Sequence, residues 1–350
     1  MKYRVIQWAS GAMGVNCLRA IIDHPDLELA GLFVYSDSKA GVDAGDIARR
    51  PTTGIIATND IEDILSLDAD IVVHTARIQP PYTHHNETIC RLLASGKNLI
   101  SINGHSYPQH WGQKAIAPFE TACRTGGSTL FGTGLNPGFI VEKIATTATG
   151  LCNRIDNIFI SEIVECNMVR NPNYVFDVLG FGTPAGFIAP NDPSWEPAEI
   201  LNGMYSEVVA HLVDRMGYQL DRVETDHIML PATKDIQTAA GLIKKGTISH
   251  TNWRWHAIVQ GKPLVTLSIA WIMETAHLEK PDYNLWNVKI SGLPGVLIDI
   301  DLKNPPDFPY QTGPEQLAVA GSVVNSIPAV CSAEPGIMDI PVANHFRAEF

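Results

Sequence analysis

Apolar positions in the first half of the chain fall into short runs separated by stretches at helical spacing. Val5 to Trp8 is the first run; after a turn of small residues, Val15, Leu18, Ile21 and Ile22 form a helical stripe that ends near His24-Pro25-Asp26. Leu27 to Tyr35 reads as a second, fully buried strand. Further strands are expected at Gly54 to Thr58, Asp70 to Thr75, Asn98 to Ile102 and Ser128 to Gly132. Helices are expected between them at Asp60 to Leu65, Glu87 to Ala94 and Lys114 to Arg124. This alternation predicts an α/β fold with a parallel, doubly wound sheet.

From about Asp156 the pattern changes to longer strands with alternating faces. Ile158 to Glu165 is the first, and a helix is expected over Trp195 to Met216. A hairpin follows, Ile248 to Val259 and Leu264 to Thr275, closed by Gln260-Gly261-Lys262-Pro263. On its first strand Trp253 and Trp255 share one face, expected to be core or a subunit interface, and Asn252, Arg254 and His256 share the other. Strands at Asn287 to Ser291 and Val296 to Leu302 complete an α+β second domain with a mixed, largely antiparallel sheet. Asn304 to Pro309 reads as a linker and Pro314 to Asn325 as a last helix returning to the first domain. The expected organisation is a domain over 1–150, a second over 151–310, and a returning segment over 311–350.

Composition narrows the class. With 45% hydrophobic and 18% charged residues in 350, the chain has material for a substantial core and is not of disordered type. A net charge of −12 argues against a nucleic-acid partner, whose phosphates require a basic face. There is no apolar run long enough for a membrane span and no secretory signal pattern, so a cytoplasmic protein is expected. The six cysteines are scattered without a C-x-x-C pair and read as buried thiols. His84, His85 and His110 make no ligand spacing with other residues, so no metal is expected.

Candidate chemistry gathers where the strands end. After Val5 to Trp8 comes Ala9-Ser10-Gly11-Ala12-Met13-Gly14, a degenerate form of the glycine turn that places a dinucleotide pyrophosphate on backbone N–H groups at a helix N-terminus. Ala9 stands where the first glycine belongs, while Gly11 and Gly14 keep their positions. After the second strand, Ser36, Ser38 and Lys39 suit a 2′-phosphate and Asp37 opposes one, which favours NADP(H) with NAD(H) as the alternative. Thr75, Asn103, Asn136 and Gly138 follow later strands and are expected to line the cofactor. His105 and Tyr107 are the nearest candidates for a proton donor, a histidine suiting that role at neutral pH. In the second domain Glu165 is a candidate buried carboxylate for an ammonium or for general base work, with a salt bridge to Arg170 as the alternative.

Several stretches together resemble the NAD(P)H-dependent amine dehydrogenases, a group related to 2,4-diaminopentanoate dehydrogenase and more distantly to dihydrodipicolinate reductase. They are Val5-Ile6-Gln7-Trp8; Val34-Tyr35-Ser36 with Lys39, Gly41 and Asp43-Ala44-Gly45; Phe131 to Phe139; and Ile327-Pro328-Ala329-Val330. The resemblance implies a Rossmann domain, a second domain that mediates homodimers, and reductive amination of a small ketone or aldehyde. Two departures stand out. The His-His motif of dihydrodipicolinate reductases is absent from the second domain, the pair His84-His85 lying in the first. The glutamate that amine dehydrogenases of this group place after the fifth strand is missing from Asn103-Gly104-His105-Ser106-Tyr107. The alternatives are therefore a ketone, aldehyde or imine reductase that does not use ammonia, or a dinucleotide-binding protein without catalysis.

Overall fold

In the N-terminal strands adjacent apolar residues point to opposite faces of one sheet, and both faces are covered. Val5, Val73, Ile100 and Phe131 join one core cluster, while their neighbours Ile6, Val72, Leu99 and Leu130 join another. The computed structural model describes residues 2–187, 192, 196–279, 283–308 and 312–349. The chain divides into two units, residues 1–143 with 303–341, and residues 144–302 with 342–350. The closing residues 342–350 thus lie with the second unit, where the sequence had suggested the first.

The first unit runs β1 (Tyr3–Trp8), α1 (Ala12–Asp23), β2 (Leu27–Phe33), α2 (Ala44–Ala48), α3 (Ile61–Ser66), β3 (Ile71–His74), α4 (Asn86–Ala94), β4 (Asn98–Ser101), α5 (Gln113–Gly126) and β5 (Thr129–Gly132). Its six strands are all parallel, in the order β14-β5-β4-β3-β1-β2, where β14 is the short strand Gly336–Ile337. The returning helix α8 (Pro314–Cys331) packs Val323, Ile327 and Val330 into the same cluster as Leu18 and Ile21 of α1. It is six residues longer than the apolar pattern suggested and runs through Pro328.

The strand expected at Gly54 to Thr58 does not join the sheet; it makes isolated bridges at Phe33–Thr58 and Asp43–Ile56. Backbone hydrogen bonds to residues 32–34 and 41–44 hold this segment, and the Asp43 carboxylate fixes the turn that leads into it. It accepts from the backbone N–H of Gly45 (2.7 Å), Thr53 (3.0 Å) and Gly54 (2.8 Å) and from the Thr53 hydroxyl (3.1 Å). Those hydrogen bonds, the Thr53 N–H first, hold its pKa below the ordinary value.

The second unit runs α6 (Thr146–Thr149), β6 (Arg154–Glu165), α7 (Glu196–Arg215), β7 (Arg222–Pro231), the two-residue pair β8 (Ile236–Gln237) and β9 (Leu242–Ile243), β10 (Ile248–Val259), β11 (Lys262–Ile272), β12 (Trp286–Leu293) and β13 (Val296–Ile300). Its main sheet has the order β13-β12-β6-β11-β10-β7, with β6 and β11 parallel and every other neighbour antiparallel. The β10–β11 hairpin closes on two residues, Gln260 (φ 50) and Gly261 (φ 73), the left-handed pair that matches the twist of the strands. β7 went unread because Glu224 and Asp226 interrupt its apolar alternation. Trp195, where the expected helix began, lies outside the described residues, as does Pro309 of the expected linker.

One face of this sheet is covered. Trp253 and Trp255 are buried on it, the Trp255 ring lying 4.6 Å from that of Tyr205 on α7 while its indole N–H donates to Asn202 (2.9 Å). That is the core role expected of the tryptophan face. The opposite face carries a hollow of about 690 Å³ whose lining includes Ser161, Asn252, Ser268 and His250.

Candidate functional site

The carboxyl ends of β1, β3, β4 and β5 are tied to one another by side chains and by backbone that only small residues permit. Ala9 has φ 73, the left-handed conformation a first glycine would supply, so the degenerate turn keeps the shape of the motif at a cost in strain. Its carbonyl accepts from the Gln7 amide (2.9 Å), and Gln7 donates also to the Thr75 hydroxyl (2.8 Å), which in turn donates to the Trp8 carbonyl (2.8 Å). Gln7 is the residue that sequence reasoning missed; a fully buried polar side chain inside an apolar strand was its signal. Thr75 is therefore a buried strut of the turn. A β-carbon on Gly14 would collide with the Ala9 carbonyl and lie 2.7 Å from the Thr75 hydroxyl, so helix and strand approach this closely only through glycine.

Gly11 is the N-cap of α1. No side chain caps it, the first turn carries no acidic residue, and a β-carbon on Gly11 would project into open space. Ser10, Gly11, Ala12, Met13 and Gly14 thus present a helix N-terminus with a cleared approach, which fits a dinucleotide pyrophosphate.

The segment after β2 folds back onto this turn. The Lys39 ammonium donates to the Ser10 carbonyl (2.8 Å) and hydroxyl (3.0 Å). Ser36 and Ser38 are exposed with their hydroxyls 2.7 Å apart, and Asp37 is drawn off to accept from Asn59 (2.8 Å). Tyr35, also exposed, accepts from the Trp8 indole N–H (3.0 Å). Beneath lies a row of stacked rings, Phe33 on Trp8 at 3.8 Å and Trp8 on His74 at 5.9 Å. Burial first, then His85 and His105 nearby, push the His74 pKa well below its ordinary value, so this histidine is neutral core.

After β5, Asn136 and Gly138 lie in a tight loop. Gly138 has φ 117 and a β-carbon there would collide with the backbone of Gly134; its N–H donates to the fully buried Glu142 carboxylate (2.9 Å). Asn103 ties the β4 loop to the β3 loop, its amide donating to the Ala76 carbonyl. Asn103, Asn136 and Gly138 thus follow β4 and β5 at the carboxyl end of the parallel sheet, and Ser10 to Gly14 follow β1, two strands along from β4.

His105 is not placed as the sequence suggested. It is 5% exposed, its Nδ1 pairs with the Ser101 hydroxyl (3.2 Å) and its Nε2 with the Asn86 amide oxygen (3.1 Å). Burial, and secondarily His85, lower its pKa to about 4. At neutral pH the ring is uncharged, with both nitrogens engaged. Its backbone is left-handed (φ 60), and its N–H donates to the Tyr82 hydroxyl (3.1 Å). Tyr107 is half-buried and begins the short turn Pro108–Trp111, its carbonyl accepting from His110 (3.1 Å). Glu165 closes β6 in the second unit. It is exposed, not buried as expected, and accepts from the Asn167 amide. Among the described residues no group of three His, Cys, Asp or Glu side chains has the geometry to hold a metal ion.

Known proteins show the same organisation. Residues 5–98 match the family model described as dihydrodipicolinate reductase, N-terminus. An amine dehydrogenase from Streptomyces virginiae is 25% identical over 355 residues, covering 96% of each chain. The chain is similar to amine dehydrogenases along its whole length. The 2,4-diaminopentanoate dehydrogenase of Acetoanaerobium sticklandii is 22% identical, covering 100% of this chain and 96% of its own. The solved structure of an amine dehydrogenase from Mycobacterium smegmatis superposes with a TM-score of 0.77 at 21% identity, covering 100% of this chain and 99% of that one. That likeness shows the shared fold: a Rossmann-type parallel sheet followed by a mixed sheet.

Proposed function

We propose that this chain is an NAD(P)-dependent oxidoreductase of amine dehydrogenase type, interconverting a small ketone or aldehyde and the corresponding amine. The observation that carries the reading is the uncapped α1 N-terminus held against β1 by the Ala9–Gly14 clasp, on a chain similar end to end to proteins of that name. The cofactor, when bound, supplies the hydride. Ser10 to Gly14 hold its pyrophosphate, and Asn103, Asn136 and Gly138 lie on the side of the nicotinamide. NADP(H) is the preferred form: Ser36 and Ser38 offer hydroxyls, Lys39 supplies the charge, and Asp37 is turned to Asn59.

A second reading, carbonyl or imine reduction without ammonia, is favoured by the lack of any carboxylate in Asn103 to Tyr107. Oxidation of NADPH and NADH, followed optically against a panel of carbonyls with and without ammonium, separates the two. Turnover that requires ammonium is expected. Turnover indifferent to ammonium gives the second reading, and cofactor binding without any turnover overturns both. Lys39→Ala is expected to weaken NADPH by about tenfold or more, the scale of a lost charge-assisted hydrogen bond, with a smaller effect on NADH. Equal weakening overturns the 2′-phosphate assignment.

The same reading includes a cytoplasmic homodimer. Free thiols at Cys17, Cys90, Cys123, Cys152, Cys166 and Cys331 suit a reducing compartment. The open face of the second unit's sheet suits a second copy of the chain, since its polar groups pair with one another (Ser268 to Asn252, His256 to Thr266, Arg254 to Asp226) beside exposed Phe159, Ile228 and Leu297. Sedimentation of the chain as a monomer at micromolar concentration overturns this part.

A further inference from the structure

The segment after β2 carries one large side chain that burial does not explain. Tyr35 is 54% exposed, yet it is held at both ends. At the main chain, the Val34 N–H donates to the Thr58 carbonyl (2.9 Å), and the Ser36 carbonyl accepts from the N–H groups of Lys39 (2.9 Å) and Ala40 (3.2 Å). At the far end, the Tyr35 hydroxyl accepts from the indole N–H of Trp8 (3.0 Å), a ring that is itself buried and stacked on Phe33. The phenol ring meets its two aromatic neighbours at steep angles, 88° to Phe33 with centroids 5.1 Å apart and 79° to Trp8 at 6.4 Å. Among the described residues no aromatic ring is stacked parallel on it. Exposed apolar side chains are ordinary at a surface. This one differs because its only polar side-chain atom is tied to the core, so the ring cannot swing away. Fixing a side chain that stays in water costs rotamer freedom and gains little burial. A ring already in place offsets that cost when a flat ligand lies against it.

We propose that Tyr35 is the stacking platform for the adenine ring of the dinucleotide. The assignment rests on the dinucleotide reading above and adds the contact to the base. With the pyrophosphate at the α1 N-terminus, the adenosine ribose reaches the residues that follow the second strand. Ser36 and Ser38 stand there, and Lys39 of the same segment touches Ser10 of the pyrophosphate turn at 2.8 Å. The base is bonded to that ribose, and Tyr35 is the residue beside Ser36 with an open aromatic surface. Purines stack on aromatic side chains through a π-face that carries no information about the ribose. Tyr35 therefore serves NADPH and NADH alike, and the choice between them stays with Ser36, Ser38 and Lys39. Its hydroxyl, engaged with Trp8, is a tether and takes no part in contacting the base.

The test uses the full chain with NADPH and with NADH, the dissociation constants being read from nicotinamide fluorescence. Tyr35→Ala is expected to weaken both by about tenfold, within the scale of one base–aromatic stack, and by the same factor for each. Tyr35→Phe keeps the ring and loses only the tether, so it is expected to bind both within about threefold of the unsubstituted chain. In the complex of the unsubstituted chain, nuclear Overhauser contacts are expected between the adenine protons and tyrosine ring protons. They should be absent in Tyr35→Leu, and a mere packing role would not produce them. Unchanged affinity in Tyr35→Ala overturns the platform, as does a complex without those contacts. Tyr35→Phe falling as far as Tyr35→Ala overturns it as well, because the hydroxyl and not the ring would then be what matters. A loss confined to NADPH overturns it in favour of a contact to the 2′-phosphate. If the unsubstituted chain binds neither dinucleotide, the reading on which the platform rests fails first, and the platform with it.

Discussion

Along the carboxyl edge of the first unit's sheet the backbone departs from regular geometry and small residues make the departures possible. Ala9 and His105 are left-handed, and Gly14, Gly104 and Gly138 stand where a β-carbon would strike another chain segment. Across the second unit's sheet β6, β10, β11 and β12 are eight to twelve residues long, with bulges only near the strand ends, and side chains make the shape. Tryptophans fill one face and paired polar groups line the hollow on the other. The contrast is between a region whose shape is made by main chain and one whose shape is made by side chains. A ligand edge needs exposed N–H groups at fixed points, which strain and glycine provide. A broad sheet needs burial, which large side chains provide.

Two substitutions break the comparison from opposite sides. Trp255→Ala should cost about 3–5 kcal/mol of stability in urea unfolding, the usual range for removing a core aromatic, and leave the cofactor dissociation constant unchanged. Gly14→Ala should cost less, roughly 1–3 kcal/mol for overpacking, yet weaken cofactor binding at least tenfold. If Gly14→Ala binds cofactor as the unsubstituted chain does, the main chain does not make the site.

Acid tests what the two regions share. Burial, with His277 close by, holds His250 at about 4 against an ordinary 6.5. The unfolded chain therefore takes up the proton first as pH falls. Stability from the neutral His250 is fully present above about pH 6.5 and is lost as pH falls toward 4, where the loss amounts to roughly 3 kcal/mol. His250→Gln should flatten the fall in unfolding free energy between pH 6.5 and 4 by about that amount. An unaltered slope would show that the imidazole titrates at its ordinary value. His105, also held at about 4, places the same acid weakness in the first unit.

The smallest effect has the opposite sign. Ala9→Gly relieves a left-handed alanine and should raise stability by about 1 kcal/mol or less, measured as a shift in the urea midpoint with cofactor affinity kept. A loss of stability would mean that the buried Ala9 methyl outweighs the strain at φ 73.

Much of this was legible in the amino-acid sequence. Short apolar runs gave β1 to β5 and alternation gave the β10–β11 hairpin, because a strand buried on both faces, or alternating between two, must write its burial into its residues. The glycine turn was legible even with Ala9 in the first position, since Gly11 and Gly14 kept theirs. The segment 54–58 was misread because local apolarity does not show that its backbone will pair with the loop at 41–44 instead of extending the sheet. β7 was missed because its outward face is charged, and β14 because two residues carry no period.

The sequence by itself determined the class of fold and the glycine turn that follows β1. Both follow from local periodicity and from residue types whose backbone limits are intrinsic. Only the tertiary structure decided which polar side chains are buried and engaged and which stay exposed. His105 looked like the acid because of its place in the chain. Its neighbours Ser101 and Asn86, with burial, leave it neutral with both ring nitrogens engaged. Ionisation and reach depend on what is brought within a few ångströms from distant parts of the chain, and no local pattern records that.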